Sequence, residues 1–205
     1  ALAEFAAREY GCRVTTTTIS REQYQFAKQR IEHAGLSDRV TVLCEDYRTL
    51  QGQYDKLVSV EMIEAVGRRY IPLFVQRCQE LVKPGGRLVL QAITISEARY
   101  SSYARGVDFI QRYIFPGGFL PSGSLLQQTL SEVSDYVVQD IFEMGSDYAR
   151  TLREWRQRFD DAWPQLESGQ FDERFRRMWL FYLCYCEAGF MARTIGTVQL
   201  TAARA

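Results

Sequence analysis

Two glutamates make residues 54–67, YDKLVSVEMIEAVG, the stretch of this chain where chemistry is most readily expected. The apolar run that begins at Leu57 is typical of a buried parallel strand, which carries near-continuous β-branched character. Glu61 and Glu64 follow where that strand should end, and ligands collect at the carboxyl ends of strands in open α/β sheets. We therefore predict that Glu64 is an active-site carboxylate. The plainer alternative is a carboxylate that satisfies free amides at a helix start.

Strands and helices alternate along the rest of the chain, which favours a doubly wound α/β sheet because parallel neighbours need crossover helices. Ser20, for example, is a helix cap with Gln23 at the capping-box position, and Gly11 ends the opening helix. Strands are predicted at 13–19, 39–44, around Val58, at 87–95, 136–142 and 197–203, and helices at 2–10, 20–34, 70–82, 125–133 and, as two long helices, after Gly145.

Residues 96–124 interrupt this alternation with a segment rich in aromatic residues, glycine and proline. Long irregular segments of compact domains are usually functional, so we predict an insertion that covers the active edge of the sheet. A structural linker is the alternative. Residues 146–192 are predicted to add a helical cover, whose aromatic stripes are more typical of a core than of cofactor contacts.

Composition excludes several classes of function. The 205 residues suffice for one domain, and Lys plus Arg equals Asp plus Glu at 25 each, so no overall field favours nucleic acid. An odd five cysteines, mostly in apolar runs, indicate a reducing cytoplasm, and a single histidine, His33, argues against a metal site. Without a signal peptide or an apolar run of about 20 residues, any membrane contact is predicted to be peripheral.

The start of the chain departs from a complete nucleotide-binding fold. Such a fold needs a first strand and a glycine-rich turn ahead of its first helix, so that backbone can approach the ligand closely. Residues 1–11 correspond to the helix that would follow that turn. We therefore expect the chain to be an N-terminally truncated piece of a larger protein.

Several motifs together resemble the cyclopropane-fatty-acyl-phospholipid synthase family, which includes the mycolic acid cyclopropane synthases. They are TISREQ, EDYRTL, VSVEMIEAVGRRY, LVKPGG, VDFIQRYIFPGG, DYARTLREW and FDERFRRMWLFYLCYCEAGF. The resemblance covers nearly the whole chain. It implies a class I, Rossmann-like methyltransferase sheet, mostly parallel with an antiparallel C-terminal strand, and an S-adenosylmethionine-dependent enzyme.

The resemblance also implies a set of cofactor contacts. Thr18 and Gln23 match residues near the ribose and methionine parts of S-adenosylmethionine. Asp46 and Tyr47 match the pair beside the adenine, and Val60 matches an apolar adenosine contact. Each has an ordinary alternative, since Thr18 fits a strand, Gln23 a capping box and Asp46 a turn.

For the chemistry, family members add a methyl group to a cis double bond of an acyl chain and remove a proton with a bound bicarbonate. Glu64 matches the carboxylate that holds bicarbonate, Tyr148 a hydroxyl directed at it, and Ile93 a backbone contact. Gln91 stands where better-known members have histidine, and it can donate a hydrogen bond but cannot exchange a proton. A family cysteine would lie upstream of the first strand. Glu61 matches no family role.

These expectations combine into one functional prediction. The protein forms cyclopropane rings on unsaturated acyl chains of phospholipids, in the cytoplasm and peripheral to the inner face of the cell membrane; a homodimer is compatible with the resemblance. The alternatives are a methyl-branched or methylene product on the same substrate, a lipid-binding relative without turnover, and a methyltransferase of small molecules. The aromatic insertion argues against the last, because a polar substrate needs no such lining.

Overall fold

A computed structural model describes residues 1–166 and 171–205 of the chain. These residues form two compact units, an N-terminal unit from Ala1 to Gly52 and a C-terminal unit from Gln53 to Ala205. A single methyltransferase domain over residues 1–205 stays a prediction.

The N-terminal unit contains two helices and a two-stranded parallel sheet, as predicted. Its elements are α1 (Leu2–Tyr10), β1 (Val14–Thr17), α2 (Arg21–His33) and β2 (Val40–Leu43). Gly11 ends α1 with a φ of 65°, a left-handed conformation that glycine adopts without steric cost. Ala7, Ile31 and Val40 are buried together, so one small apolar cluster holds both helices on the strand pair.

The C-terminal unit is built on a four-stranded sheet of order β3-β4-β6-β5. Its elements are β3 (Tyr54–Val60), α3 (Ile63–Val66), a 3₁₀ turn (Arg68–Tyr70), α4 (Ile71–Leu81), β4 (Val82–Ile95), α5 (Glu97–Tyr103), α6 (Phe109–Tyr113), α7 (Gly123–Val133), β5 (Tyr136–Glu143), α8 (Gly145–Leu166), α9 (Glu173–Met191) and β6 (Ile195–Arg204). β3 and β4 are parallel, whereas β6 is antiparallel to both β4 and β5. The predicted α/β sheet with an antiparallel C-terminal strand is therefore confirmed.

The strand β4 divides its side chains between a buried face and a partly exposed face. Leu88, Leu90 and Ala92 are fully buried on the face that packs against α4, and burial of a leucine side chain contributes about 1.5–3 kcal/mol. Gln91 and Ile93 alternate with them and point to the opposite face. There Ile93 packs against a cluster formed by α8 and α9. This second face presents the polar residues of the candidate site.

The strand β3 is less buried than its sequence predicts. Val58 and Val60 are 49% and 51% exposed, because β3 is an edge strand of the four-stranded sheet rather than a central one. A near-continuous apolar run is therefore not sufficient to place a strand at the centre of its sheet.

Three other boundaries differ from the predictions. β4 begins at Val82 rather than Arg87, because Val82 pairs with Tyr54 before an irregularity in the ladder. Pro164 lies inside α8, which continues to Leu166 although proline disfavours a helix interior. The insertion at 96–124 contains two short helices, α5 and α6, instead of being irregular throughout.

Candidate active site

The site begins where β3 ends and its neighbour β4 continues. The last pair of the ladder joins Val60 to Gln91, and β4 then continues to Ile95. The Gln91 carbonyl and the Ile93 N–H on that edge need other partners, since unpaired backbone groups are costly when buried. Glu61 N–H donates to the Gln91 carbonyl at 2.8 Å, and Ile93 N–H donates to Glu64 Oε1 at 2.5 Å.

The two glutamates therefore make different hydrogen bonds at the same strand end. Glu61 extends the ladder with its backbone, which leaves its carboxylate for other contacts. Glu64 uses its carboxylate to complete the ladder. The Glu64 carboxylate thus satisfies a strand amide, a contact that the plainer alternative of free amides at a helix start does not include.

The Glu61 carboxylate is the end point of a chain of hydrogen bonds. Tyr148 O–H donates to Glu61 Oε2 at 2.7 Å, and Gln91 Nε2 donates to Glu61 Oε1 at 2.8 Å. Gln199, opposite Gln91 in the antiparallel ladder, donates through Nε2 to Gln91 Oε1 at 2.9 Å. We call Glu61, Gln91, Tyr148 and Gln199 the Glu61 network. Tyr148 and Gln91 donate to the carboxylate directly, and Gln199 donates to Gln91.

The predicted roles of Gln91 and Tyr148 beside Glu64 stay predictions, because in this structure both side chains donate to Glu61, a residue to which the sequence assigns no role. Gln91 projects from the open face of β4, and the Glu61 side chain reaches that face. Glu64 lies three residues further on, in α3, and its carboxylate reaches the edge of β4 instead. The backbone contact of Ile93 with bicarbonate likewise stays a prediction, and in this structure the Ile93 N–H donates to Glu64.

Glu64 is held in a desolvated position. Burial raises its pKa from the usual 4.5 to about 7, the Ile93 N–H opposes the shift, and the charge of Glu61 adds to it. Its second oxygen, Oε2, is buried without a hydrogen-bond partner among the described residues. Near neutral pH this carboxyl therefore exists in both protonation states, and it can donate or accept a hydrogen bond.

Tyr148 is fixed by aromatic packing as well as by Glu61. Its ring stacks on Phe190 of α9 at 4.8 Å between centroids and meets Trp155 edge-on at 6.3 Å. Burial raises the pKa of the Tyr148 hydroxyl, and the hydrogen bond to Glu61 raises it further. Tyr148 therefore keeps its proton and remains a donor to the carboxylate.

The insertion at 96–124 contacts both the glutamate turn and α9. Phe119 N–H donates to the Glu64 carbonyl at 2.8 Å. Phe109 meets Phe181 of α9 at 4.7 Å, and Phe115 meets Tyr182 at 6.0 Å. Burial raises the pKa of Tyr182 to about 12. The insertion thus brings an aromatic wall to the same unit as the Glu61 network.

The predicted cofactor residues of the N-terminal unit form two local pairs. Thr18 Oγ1 donates to Gln23 Oε1 at 2.7 Å, so Gln23 binds Thr18 with its side chain while its N–H binds the Ser20 cap. Asp46 receives the Arg48 guanidinium at 2.9 and 2.7 Å, and this interaction lowers the pKa of Asp46. Tyr47 stands between them in sequence. In the C-terminal unit, Val60 presents a half-exposed apolar surface at the end of β3.

Sequence reasoning missed three participants. Glu61 had a signal, since it stood at a strand end, but it matched no family role. Arg48 is the residue two positions after Asp46 and could have been found as a local ion pair. Gln199 had no usable signal, because its partner Gln91 lies 108 residues away and strand register cannot be obtained from spacing alone.

Two features are absent from the described ranges, 1–166 and 171–205. These ranges contain no group of three or more His, Cys, Asp or Glu side chains placed to hold a metal ion. They also contain no helix long and apolar enough to span a membrane.

Comparisons with known proteins agree on one family. A family model described as mycolic acid cyclopropane synthetase matches residues 1–200. The chain is 41% identical over 95% of its length to a tuberculostearic acid methyltransferase, UfaA1, of Mycobacterium tuberculosis, covering 45% of that protein. It is 37% identical over 99% of its length to the cyclopropane-fatty-acyl-phospholipid synthase of Escherichia coli, covering 50%. The chain thus spans about half the length of these curated relatives.

The same fold occurs among solved structures. Mycolic acid cyclopropane synthase CmaA1, complexed with SAH and CTAB, matches 98% of this chain and 73% of its own with a TM-score of 0.89. The identity is 24%, so this likeness supports the methyltransferase fold alone.

Proposed function

The chain belongs to the mycolic acid cyclopropane synthetase family, and from that premise we propose that its protein acts on unsaturated acyl chains of phospholipids with S-adenosylmethionine as methyl donor. The proposed product is a cyclopropane ring across a cis double bond. The observation that carries the proposal is the Glu61 network: a carboxylate held ready beside an aromatic wall, in a chain that is 37% identical to a cyclopropane-fatty-acyl-phospholipid synthase.

The proposed reaction makes three demands on the protein. When bound, S-adenosylmethionine supplies an electrophilic methyl group attached to a sulfonium sulfur. An alkene is a weak nucleophile, so the chain must exclude water and stabilise a carbocation, which aromatic faces do through their π electrons. A proton must then leave, which needs a positioned acceptor. Tyr148, Phe190 and Trp155 supply the rings, and the two glutamates supply candidate acceptors.

For the cofactor we propose Thr18, Gln23, Asp46 and Tyr47, with Val60 as an apolar contact. The donor set is suitable, since a carboxylate accepts from an exocyclic amine and a phenol ring covers a base. Asp46 binds Arg48 yet stays about a third exposed, which leaves lone pairs for a ligand. The Thr18 and Gln23 side chains likewise keep donor and acceptor capacity beyond their mutual hydrogen bond.

Bicarbonate, which the resemblance implies, does not fit these residues as arranged. The single Tyr148 hydroxyl proton and one Gln91 amide proton are already donated to Glu61. The Ile93 N–H is already donated to Glu64. The proposed reaction therefore uses no bicarbonate.

A second product has its own support. The chain is 41% identical to a relative named as a methyltransferase rather than as a cyclopropane synthase. Addition of a methyl group and loss of a proton without ring closure, which gives a methylene acyl chain or a methyl-branched chain that keeps a double bond, is therefore our alternative for the same substrate. A lipid-binding protein without turnover is the remaining alternative.

Peripheral membrane contact is part of the proposal and has a candidate surface. Tyr113 of α6 and Phe181 of α9 are 55% and 52% exposed, and the Arg112 guanidinium lies 5.7 Å from the Tyr113 ring. Exposed aromatics beside a cation suit the interface of an anionic bilayer. Sedimentation of the intact protein with anionic vesicles tests this, and a protein that stays in the supernatant contradicts it.

The main test uses the intact protein that carries this chain. It is incubated with S-adenosylmethionine and vesicles of a phospholipid with cis-monounsaturated chains, and the released fatty acids are analysed by mass spectrometry and proton NMR. We expect a mass gain of one CH₂ and the upfield ring protons of a cyclopropane. The same mass gain with vinylidene protons, or a methyl branch, would support the alternative product. Cofactor binding in calorimetry with no acyl product would contradict both.

A further inference from the structure

Side-chain donors in the C-terminal unit converge on one carboxylate that the resemblance leaves without a role. Tyr148 and Gln91, the two side chains expected to hold bicarbonate, donate to the two oxygens of Glu61 at 2.7 and 2.8 Å. Carboxylate and bicarbonate share a planar, anionic O–C–O group that accepts such hydrogen bonds. Glu61 therefore occupies the hydrogen-bonding position that a bound bicarbonate would take.

The backbone of Glu61 indicates a maintained arrangement. Its φ is 50°, in the left-handed region, which is strained for a residue with a Cβ. Two contacts hold the conformation: the Glu61 N–H donates to the Gln91 carbonyl, and the carboxylate binds Tyr148 from α8. Backbone strain at non-glycine residues concentrates at functional sites, where surrounding contacts sustain it.

We propose that the carboxylate of Glu61 is the proton acceptor of the reaction, built into the chain in place of bicarbonate. This rests on the proposed methyl transfer to an alkene. The new carbon–carbon bond forms as the carbon–sulfur bond of the donor breaks, which leaves a carbocation beside the transferred methyl group. Glu61 takes a proton from that methyl group, and the freed C–H electron pair closes the ring. The donor becomes a neutral sulfide, so charge and atoms balance without a redox partner.

Hydrogen bonding also explains how a carboxylate survives beside a carbocation. Tyr148 and Gln91 each withdraw electron density from one oxygen, which lowers the tendency of Glu61 to form an ester with the cation. Gln199 is a positioning residue, because its Nε2 holds Gln91 Oε1 and so keeps Gln91 Nε2 directed at Glu61.

Glu64 is less suited to the same task. One of its oxygens completes the β4 ladder through the Ile93 N–H, and the other is fully buried. An acyl chain cannot reach a buried oxygen in this arrangement. Glu61 remains part-exposed, so its carboxylate is the accessible one.

The first test compares Glu61→Gln with Glu80→Gln in the intact protein. Glutamine keeps the size of the side chain but is not a useful proton acceptor, so the rate of product formation should fall about 10²–10⁴-fold. Glu80 is an exposed glutamate on α4, and its variant should stay within about twofold of the wild type. Thermal melting checks that both variants fold. A folded Glu61→Gln protein with wild-type turnover would overturn the proposal.

The second test removes bicarbonate. Wild-type turnover in buffer freed of carbon dioxide should stay within about twofold of turnover with added sodium bicarbonate, since the acceptor belongs to the chain. A wild-type enzyme that stops without bicarbonate and recovers with it would overturn the proposal.

The third test removes the Glu61 side chain, so that an added anion can take the place of its carboxylate. Glu61→Gly suits the left-handed backbone and frees the Tyr148 and Gln91 donors. Sodium bicarbonate or sodium formate should then raise the turnover rate of this variant at least about tenfold. Calorimetry with bicarbonate alone should detect binding to the variant and none to the wild type. A folded variant that neither anion binds nor restores would also count against the proposal.

These outcomes separate the inference from the function on which it rests. If wild-type protein transfers no methyl group to any unsaturated phospholipid, the proposed function fails. If it transfers methyl groups and Glu61→Gln does so equally well, only the role of Glu61 fails.

Discussion

The two units of the chain hold their candidate residues in contrasting ways. In the N-terminal unit, Asp46 binds Arg48 two residues away and Thr18 binds Gln23 five residues away, both in exposed positions. In the C-terminal unit, the partners of Glu61 are Gln91 and Tyr148, 30 and 87 residues away and part-buried. The exposed local pairs orient a side chain and depend only on the nearby chain. The distant pairs depend on the whole fold of their unit.

The contrast extends to the charge of the carboxyl groups. Arg48 lowers the pKa of Asp46, whereas burial raises the pKa of Glu64 to about 7. The pKa values of two carboxyl groups therefore shift in opposite directions, because an ion pair dominates at Asp46 and desolvation dominates at Glu64. Substitutions that remove each group should reveal the difference.

The largest effect is expected for Glu64→Gln, in the pH dependence of stability. Folded Glu64 binds its proton more tightly than unfolded Glu64, so wild-type stability is fullest below about pH 4.5 and falls as pH rises toward about 7. The difference is on the order of 3 kcal/mol, and glutamine should remove it while still accepting from Ile93 N–H. Urea denaturation of both proteins at pH 5 and pH 7.5 measures it. If the free energy of unfolding changed equally between the two pH values in both proteins, Glu64 would not be desolvated.

Tyr148→Phe should give the next largest effect. The ring can still stack on Phe190, but Glu61 loses a charge-assisted hydrogen bond, so kcat/KM for methyl transfer should fall roughly tenfold to a hundredfold. Tyr70→Phe is the matched control, since Tyr70 is exposed on the 3₁₀ turn. Equal rates in the two variants would separate the Tyr148 hydroxyl from the reaction.

The smallest effect is expected for Asp46→Asn. The Asp46–Arg48 pair is exposed and local, so its loss should change the free energy of unfolding by less than about 1 kcal/mol. The lowered pKa of Asp46 means that its contribution is present above about pH 3.8 and is lost as pH falls further. Urea denaturation at pH 3 and pH 6 detects this direction. A larger effect, or one of opposite sign, would remove the contrast with Glu64.

The sequence predicted local features well and contacts between distant residues poorly. Helix ends at Gly11 and Ser20, the order of strands and helices, and the antiparallel last strand were predictable because caps, periodicity and family motifs are local signals. The position of Glu61 and Glu64 directly after β3 was predictable as well. Which glutamate receives Tyr148 was not, because that depends on where α8 packs and on the left-handed backbone of Glu61.

The exposed valines of β3 give a second lesson of this kind. Hydrophobic character predicted a buried strand, but strand order within a sheet is a property of topology, and β3 lies at an edge. Likewise Gln199 became a neighbour of Gln91 only through the register of β4 and β6. Such pairings join residues too distant for periodicity to relate.

The most direct test of the central claim follows the hydrogens of the transferred carbon. The intact protein is supplied with S-adenosylmethionine whose methyl group carries three deuterium atoms, and the modified acyl chain is analysed by mass spectrometry. If a carboxylate of this site removes a proton from the transferred methyl group, the product retains two deuterium atoms, whether as a ring or as a methylene group. A product that retains all three would show that no proton leaves that carbon, and would contradict the account.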